Sequence, residues 1–341
     1  MTHDGHRRDP VMHDVGRLAG VSQMTVSRVL NDRPHVRPET RARVERAIEH
    51  LGYRRNAAAR ALATGSPCAL GVVAARAALP GSSDVLLALE EAARRRERAV
   101  TVATVGSMTT AAVQEAVGHL DGLGVDGVVL VAPQPPAPGE SLRLPTGVPV
   151  VVVDGPPHAG LPSVVVDQAA GARLMTEHLL GLGHRTVHHV AGLVGSPGAD
   201  ERAAGWKDAL EAAGRPVPPL LRGSWTAAGG HAAGRRLARD PCVTAVFAAD
   251  DRTALGVVRA LQEAGRRVPE DVSVGGFEDV PEAPFVGPAL SSVSLRAPQL
   301  GEAGIATLLA LVDGGGATPG ARARTTAPLL VVRASTGPAP A

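Results

Sequence analysis

Six side chains fall where runs of apolar residues stop, and their types suit binding more than bond breaking. Asp154 ends PVVVVD, Trp225 follows PPLLRGS, Asp250 and Asp251 end AVFAADD, and Glu278 with Asp279 follow SVGGF. A carboxylate can grip neighbouring hydroxyls through charge-assisted hydrogen bonds, and an indole offers a flat apolar platform to the C–H face of a sugar ring. Aromatic residues make up only 2% of the chain, so a tryptophan beside glycines and a serine at a strand end is read as such a platform rather than as core. Asp250 or Asp251 has a plainer duty as well, capping the helix expected over RTALGVVRALQEAG. A second set lies near the N-terminus, where Gln23, Met24, Ser27, Arg28 and Asn31 share the polar face of a short helical stretch. Arg28 can fork onto a guanine edge, and Gln23 can pair with adenine.

The elements that must position these residues follow from periodicity. From Ala69 the chain alternates apolar runs with helical stretches: ALGVVAA, then Val85 to Arg98; AVTVATVG, then Ala111 to Leu120; DGVVLVAP; and PVVVVDG. VHHVAG, PPLLRGSW, AVFAADD and VSVGGFED make a second series. Repeated βα units imply parallel sheets covered on both faces, and the expected fold class is α/β with two doubly wound lobes. Such lobes bind ligands at the carboxyl ends of their strands. Ahead of them, Asp14 to Ala19 and Gln23 to Leu30 read as two helices broken at Gly20-Val21-Ser22, with Ser22 as N-cap of the second and Val26, Val29 and Leu30 turned inward. A third helix is opened by Pro38 or Glu39, buries Val44, Ala47, Ile48 and Leu51, and closes at Gly52. Two short helices around a glycine turn are the geometry of a DNA-binding helix-turn-helix. The alanine-rich YRRNAAARALATGSP that follows is too short to hold a helix alone.

Charge supports that division. Residues 1–66 hold 12 Arg against 7 Asp/Glu, a net +5, while the remainder carries 23 Lys/Arg against 26 Asp/Glu, a net −3. A basic headpiece on a near-neutral body is the footprint of nucleic-acid binding. No Walker loop, GxSxG, HExxH or strand-following GxGxxG is present, so no enzyme, cofactor or metal is expected. His184, His188 and His189 enter a strand whose alternate residues face opposite ways, and they are read as surface and strand-edge residues. Cys68 and Cys242 are read as small core residues. The polar start MTHDGHRRDP has no apolar export core and no run is long enough to span a bilayer, so a cytoplasmic protein without membrane contact is expected.

The stretch HDVGRLAGVSQMTVSRVLNDRPHVRPETRARVERAIEHLGYRRNAAARALATG resembles the headpiece and hinge of the lactose-repressor/galactose-repressor family of transcriptional regulators. VDQAAGARLMTEHLLGLGHRTVHHVAG, ERAAGWKDALEAAG, GSWTAAGG and VFAADDRTALGVVRALQEAGRRVPEDVSVGGFED extend the likeness to the family's sugar-binding-protein-like effector domain. The resemblance implies that Gln23, Met24 and Arg28 read bases and that Ser22, Thr25, Ser27 and Asn31 hold phosphates, with His35 and the hinge residues Asn56, Ala59 and Arg60 also on DNA. It further implies that Leu62, otherwise a plain linker leucine, wedges between base steps. Arg55, Val11 and Met24 depart from the usual headpiece residues. In the body, the resemblance implies an effector held by Asp154, Arg202, Trp225, Asp250, Phe277 and Glu278. Family members usually have Asn at 250, Asp at 278 and a polar residue at 295, where this chain has Asp, Glu and Leu.

The implied layout is a flexible N-terminus over 1–10, a headpiece over 11–53, a hinge over 54–66, an effector and dimerisation domain over 67–335 and a flexible tail over 336–341. The implied function is a repressor, released from a palindromic double-stranded operator by a small sugar. The alternatives are a non-sugar effector or a sugar receptor with no DNA role. A homodimer is expected, since two half-sites match a two-fold protein, and only TGPAPA follows the last strand, leaving no heptad segment for a tetramer. Arg202, balanced by several carboxylates, points to a neutral mono- or disaccharide of β-glycoside or galactoside type.

Overall fold

The computed structural model describes residues 10–30, 36–53, 68–75, 82–132, 141–156, 160–314 and 324–340. The chain divides into two compact units at Pro67/Cys68.

In the first unit, helix α1 (Met12–Ala19) is followed by α2 (Gln23–Leu30) and α3 (Pro38–Leu51). Helix α1 starts two residues earlier than periodicity suggested, because the Asp14 carboxylate reaches back to accept the Val11 N–H at 3.0 Å. It stops at Gly20, which takes the left-handed conformation at φ 63°. A Cβ on Gly16 would lie 2.9 Å from the Val21 carbonyl oxygen, so the turn closes tightly against α1 only because that position is bare. Ser22 caps α2 as expected, its Oγ accepting the Thr25 N–H at 3.2 Å. Val15, Ala19, Val26, Val29, Val44 and Ala47 form the core of this unit.

The second unit holds two parallel sheets. Strands β1 (Ala69–Ala75), β2 (Ala99–Val105), β3 (Gly127–Val131), β4 (Val150–Val153), β5 (Ser163–Val166) and β11 (Arg324–Thr326) form the first, in the order β11-β5-β4-β3-β1-β2. Its strands alternate between faces with a period of two. Val72, Val129, Val151 and Val153 point toward α4 (Ser82–Arg94) and α10 (Ala297–Val312), whereas Val73, Val128, Leu130 and Val152 point toward α5 (Thr110–Gly122). The second sheet orders β6 (His188–Ala191), β7 (Leu221–Arg222), β8 (Ala245–Ala248) and β9 (Ser273–Gly275) as β7-β6-β8-β9. Helices α6 (Gln168–Gly181) and α7 (Pro197–Ala212) cover one face and α8 (Ala227–Leu237) and α9 (Asp251–Glu263) the other. The chain crosses between lobes three times: from β5 to α6, from β10 (Ser292–Ser294) to α10, and from β11 to β12 (Leu329–Val331), with β10 and β12 paired antiparallel.

Several expectations need correction. Helix α4 runs over 82–94 rather than 85–98, since Arg96 and Arg98 donate their backbone N–H groups to the Ala93 carbonyl and turn the chain into β2. The tail is tied down through Ala339, with Gly337 N donating to Ser273 Oγ at 3.0 Å and Ala339 N to the Leu182 carbonyl at 2.9 Å. Cys242 is exposed and Cys68 half-buried, so neither is a core residue.

Candidate functional site

The guanidinium of Arg202, projecting from α7, is the centre of a polar cluster that draws on both lobes. Its Nε donates to Gln168 Oε1 at 2.8 Å, and its Nη1 donates to the Ala249 carbonyl. Gln168, at the first turn of α6, passes the connection on, its Nε2 donating to Asp154 Oδ1 at 3.3 Å at the end of β4. On the other side Glu278, just past β9, brings its Oε1 to 3.6 Å from Arg202 Nη1. The Phe277 ring lies under the guanidinium, 3.9 Å from its carbon to the ring centroid, and Trp225 lies 5.5 Å away. The path Asp154, Gln168, Arg202, Glu278 thus joins the carboxyl ends of strands in the two sheets, where doubly wound lobes place their ligands.

The backbone is strained at the same place. Asp154, Trp225, Glu278 and Asp279 have φ values of 55°, 56°, 103° and 59°, a conformation costing non-glycine residues on the order of 1–3 kcal/mol each. The indole of Trp225 rests directly on the chain at Gly192, where a Cβ would come within 2.2 Å of its Cζ2. Trp225 is half-buried, and the ring remains partly open.

The electrostatics are unbalanced. Arg202, Asp250 and Glu278 are 5%, 0% and 8% exposed. Burial pushes the Asp154 carboxyl up to about 6, against the pull of Arg202 and with a further push from Glu201. Burial also raises Glu278 well above the ordinary range; Arg202 opposes this, and Asp250, Asp251 and Asp154 add to it. Asp250 is raised by burial and lowered by hydrogen bonds from Thr253. Its Oδ1 accepts the Thr253 N–H at 2.6 Å and caps α9, settling which aspartate holds that role. Its Oδ2, like Glu278 Oε2, is buried with no hydrogen-bond partner among the described residues. Asp251 turns away from the cluster. It accepts from Ser292 Oγ at 2.6 Å and Val280 N at 2.8 Å, and burial pushes it up to about 7.

Arg202 is therefore no surface ion pair but a buried centre. Phe277 is fully buried with its ring under the guanidinium. Trp206 is packing, its Nε1 donating to the Val187 carbonyl at 2.8 Å. Of the three histidines expected at the surface or a strand edge, His184 and His189 are core residues and His188 is half-buried at the start of β6. His189 is buried, stacked on Phe247 at 4.6 Å with Nδ1 held 2.8 Å from the Phe247 carbonyl, and burial lowers it to about 4. His184 is buried between Thr244 and Ser273. One participant escaped sequence reasoning: Gln168 immediately follows SVVVD, the same kind of signal that marked Asp154.

In the headpiece, Ser22, Gln23, Met24 and Arg28 are exposed on one side of α2, with Thr25 and Ser27 half-buried beside them. Met24 shows 68% of its surface. Asn31, His35, Asn56, Ala59, Arg60 and Leu62 lie outside the described residues.

A helix-turn-helix unit carried with a two-lobed domain whose strand ends converge on a polar cluster defines a ligand-responsive DNA-binding regulator. Residues 11–56 match bacterial regulatory proteins of the lacI family, and residues 176–336 match a periplasmic binding protein-like domain. The lactose operon repressor of Escherichia coli K12 is 32% identical over 89% of this chain and 85% of its own length. The HTH-type transcriptional regulator CelR of Thermobifida fusca is 36% identical over 84% and 87%. Among solved structures, the lac repressor dimer bound to operator and the anti-inducer ONPF superposes with TM-score 0.76 at 29% identity, covering 97% of this chain and all of that one. The CelR–cellobiose complex gives 0.70 at 32% identity, covering 96% and 99%. The chain belongs to the lacI family: it is a sequence-specific DNA-binding transcriptional regulator and not an enzyme. No helix among the described residues is long and apolar enough to cross a membrane.

Proposed function

We propose that the protein acts in the cytoplasm as a homodimeric repressor, released from a palindromic operator by a small saccharide of glycoside or galactoside type bound between its lobes. One observation carries this reading: a path of hydrogen bonds from Asp154 through Gln168 to Arg202, continued by the ion pair of Arg202 with Glu278, spans the lobes, with the partly open indole of Trp225 beside it. A ligand gripping Asp154 in one lobe and Asp250, Glu278 and Arg202 in the other would favour one arrangement of the lobes over another, which is all that a population shift requires. The CelR complex with cellobiose and the lac repressor bound to operator supply relatives in which a sugar and a duplex are held. On the DNA side Gln23, Met24 and Arg28 would reach base edges while Ser22, Thr25, Ser27 and Asn31 hold phosphates, joined by His35 and by Asn56, Ala59, Arg60 and Leu62 of the hinge. The test is to select an operator in vitro from random duplexes and challenge the complex with a panel of saccharides. A palindromic consensus dissolved by one sugar class is expected; a non-palindromic consensus, or indifference to every sugar, would overturn the reading.

A further inference from the structure

We infer that the saccharide carries an amine, so that the cleft takes a cationic aminodeoxy sugar in preference to its neutral parent. This rests on the saccharide reading above and narrows it.

Sequence alone suggested a neutral ligand, because one arginine seemed set against several carboxylates. The geometry changes that balance. The N–H groups of Arg202 are directed at a neutral amide, Gln168 Oε1, and a neutral carbonyl, that of Ala249, with Glu278 Oε1 a looser 3.6 Å away. One guanidinium therefore faces Asp154, Asp250 and Glu278 without a close hydrogen bond to any of them. Two carboxylate oxygens, Asp250 Oδ2 and Glu278 Oε2, belong to side chains more than nine-tenths buried and have no donor among the described residues. A buried acceptor left without a donor is destabilising, and more so when charged. Burial raises the Glu278 carboxyl, and Asp250, Asp251 and Asp154 push it further upward against the pull of Arg202.

A hydroxyl can supply one donor to this group, but no charge. An ammonium supplies three donors for such open oxygens and a positive charge that offsets the burial raising the Glu278 carboxyl. A uronate or sugar phosphate would add a negative charge beside three carboxylates and is disfavoured. Trp225 suits the same ligand, because its ring face attracts a cation as well as covering a sugar's C–H face.

The experiment is titration calorimetry on the full-length protein with matched series. D-glucose, D-galactose and cellobiose would be compared with glucosamine, galactosamine and chitosan disaccharide, with their N-acetyl forms, and with glucuronate and galacturonate. At least one amine should bind about tenfold or more tighter than both its neutral parent and its N-acetyl form, with the uronates weakest. Neutral sugars binding as tightly as the amines would overturn the inference and leave the saccharide reading standing. Binding by no member of any series would overturn both. Asp250→Asn keeps the oxygen that caps α9, so it tests the charge without removing the cap. Asp250→Asn or Glu278→Gln should weaken the amine about tenfold more than its neutral parent, which removes the amine's advantage. An amine preference that survives both substitutions would show that these carboxylates are not its source.

Discussion

At the scale of single residues, the proposed DNA and effector contacts fall on a few side chains. Trp225 is the only large aromatic surface beside the polar cluster that stays partly open among the described residues. Trp225→Ala should weaken effector binding by on the order of 1–3 kcal/mol, the value of losing a large apolar contact, while leaving operator affinity unchanged. Calorimetry with the effector and anisotropy with the operator check the two halves. Arg28 stands exposed on α2. Arg28→Ala should cost roughly 1–3 kcal/mol on the selected operator and much less on random duplex. Equal losses on both would make it a phosphate contact. Gln168 has a quieter part, since its amide is the joint between Asp154 and Arg202. Gln168→Leu should weaken effector binding through misplacement of Arg202, with thermal stability falling because Arg202 Nε loses its acceptor.

At the scale of elements, the second lobe depends on backbone contact between α8 and α9. A Cβ on Gly256 would lie 2.0 Å from the Ala227 carbonyl oxygen, and one on Gly230 would lie 2.1 Å from that of Thr253. Neither neighbour is a flexible side-chain end, so Gly256→Ala should force the helices apart and destabilise this unit by roughly 1–3 kcal/mol or more, measured by denaturant unfolding. Most of the framework was legible because it repeats: GVVLV and VVVV are buried along their whole length, as strands covered on both faces must be, and Asp154 was found by where such a run stops. What was illegible lacked a period. Strand β7 has only two residues, and β10 and β12 three each, too few for alternation to show. The burial of His189 depends on Phe247 from a neighbouring strand, and the fixing of Gly337 and Ala339 depends on Ser273 and Leu182, distant in sequence. The composition of TGPAPA says nothing of such partners.

At the scale of the whole molecule, buried carboxylates set how stability responds to pH. Asp154 and Asp251 are pushed up to about 6 and about 7, whereas in the unfolded chain an aspartate titrates near 4. Between roughly pH 4 and pH 7 the unfolded chain has released protons that the native state still holds, so stability falls as pH rises through that window and levels off above it. Asp250 and Glu278 act in the same direction. Urea unfolding at pH 5 and pH 8 should find the protein more stable at the lower value. Asp251→Asn should flatten that slope; a slope unchanged in the variant would show that Asp251 does not contribute to it.

The left-handed backbone at Asp154, Trp225 and Glu278 bears on how such a regulator can be changed over generations or at the bench. Glycine adopts that conformation without penalty, so replacing any of the three relieves strain even as it removes a proposed binding group. The easiest route to a sturdier protein therefore runs through loss of the signal: variants selected only for thermal endurance should accumulate glycine at these positions and hold their operator while no longer hearing the ligand. Selection for stability would have to be paired with selection for induction, or it would breed permanently silent repressors.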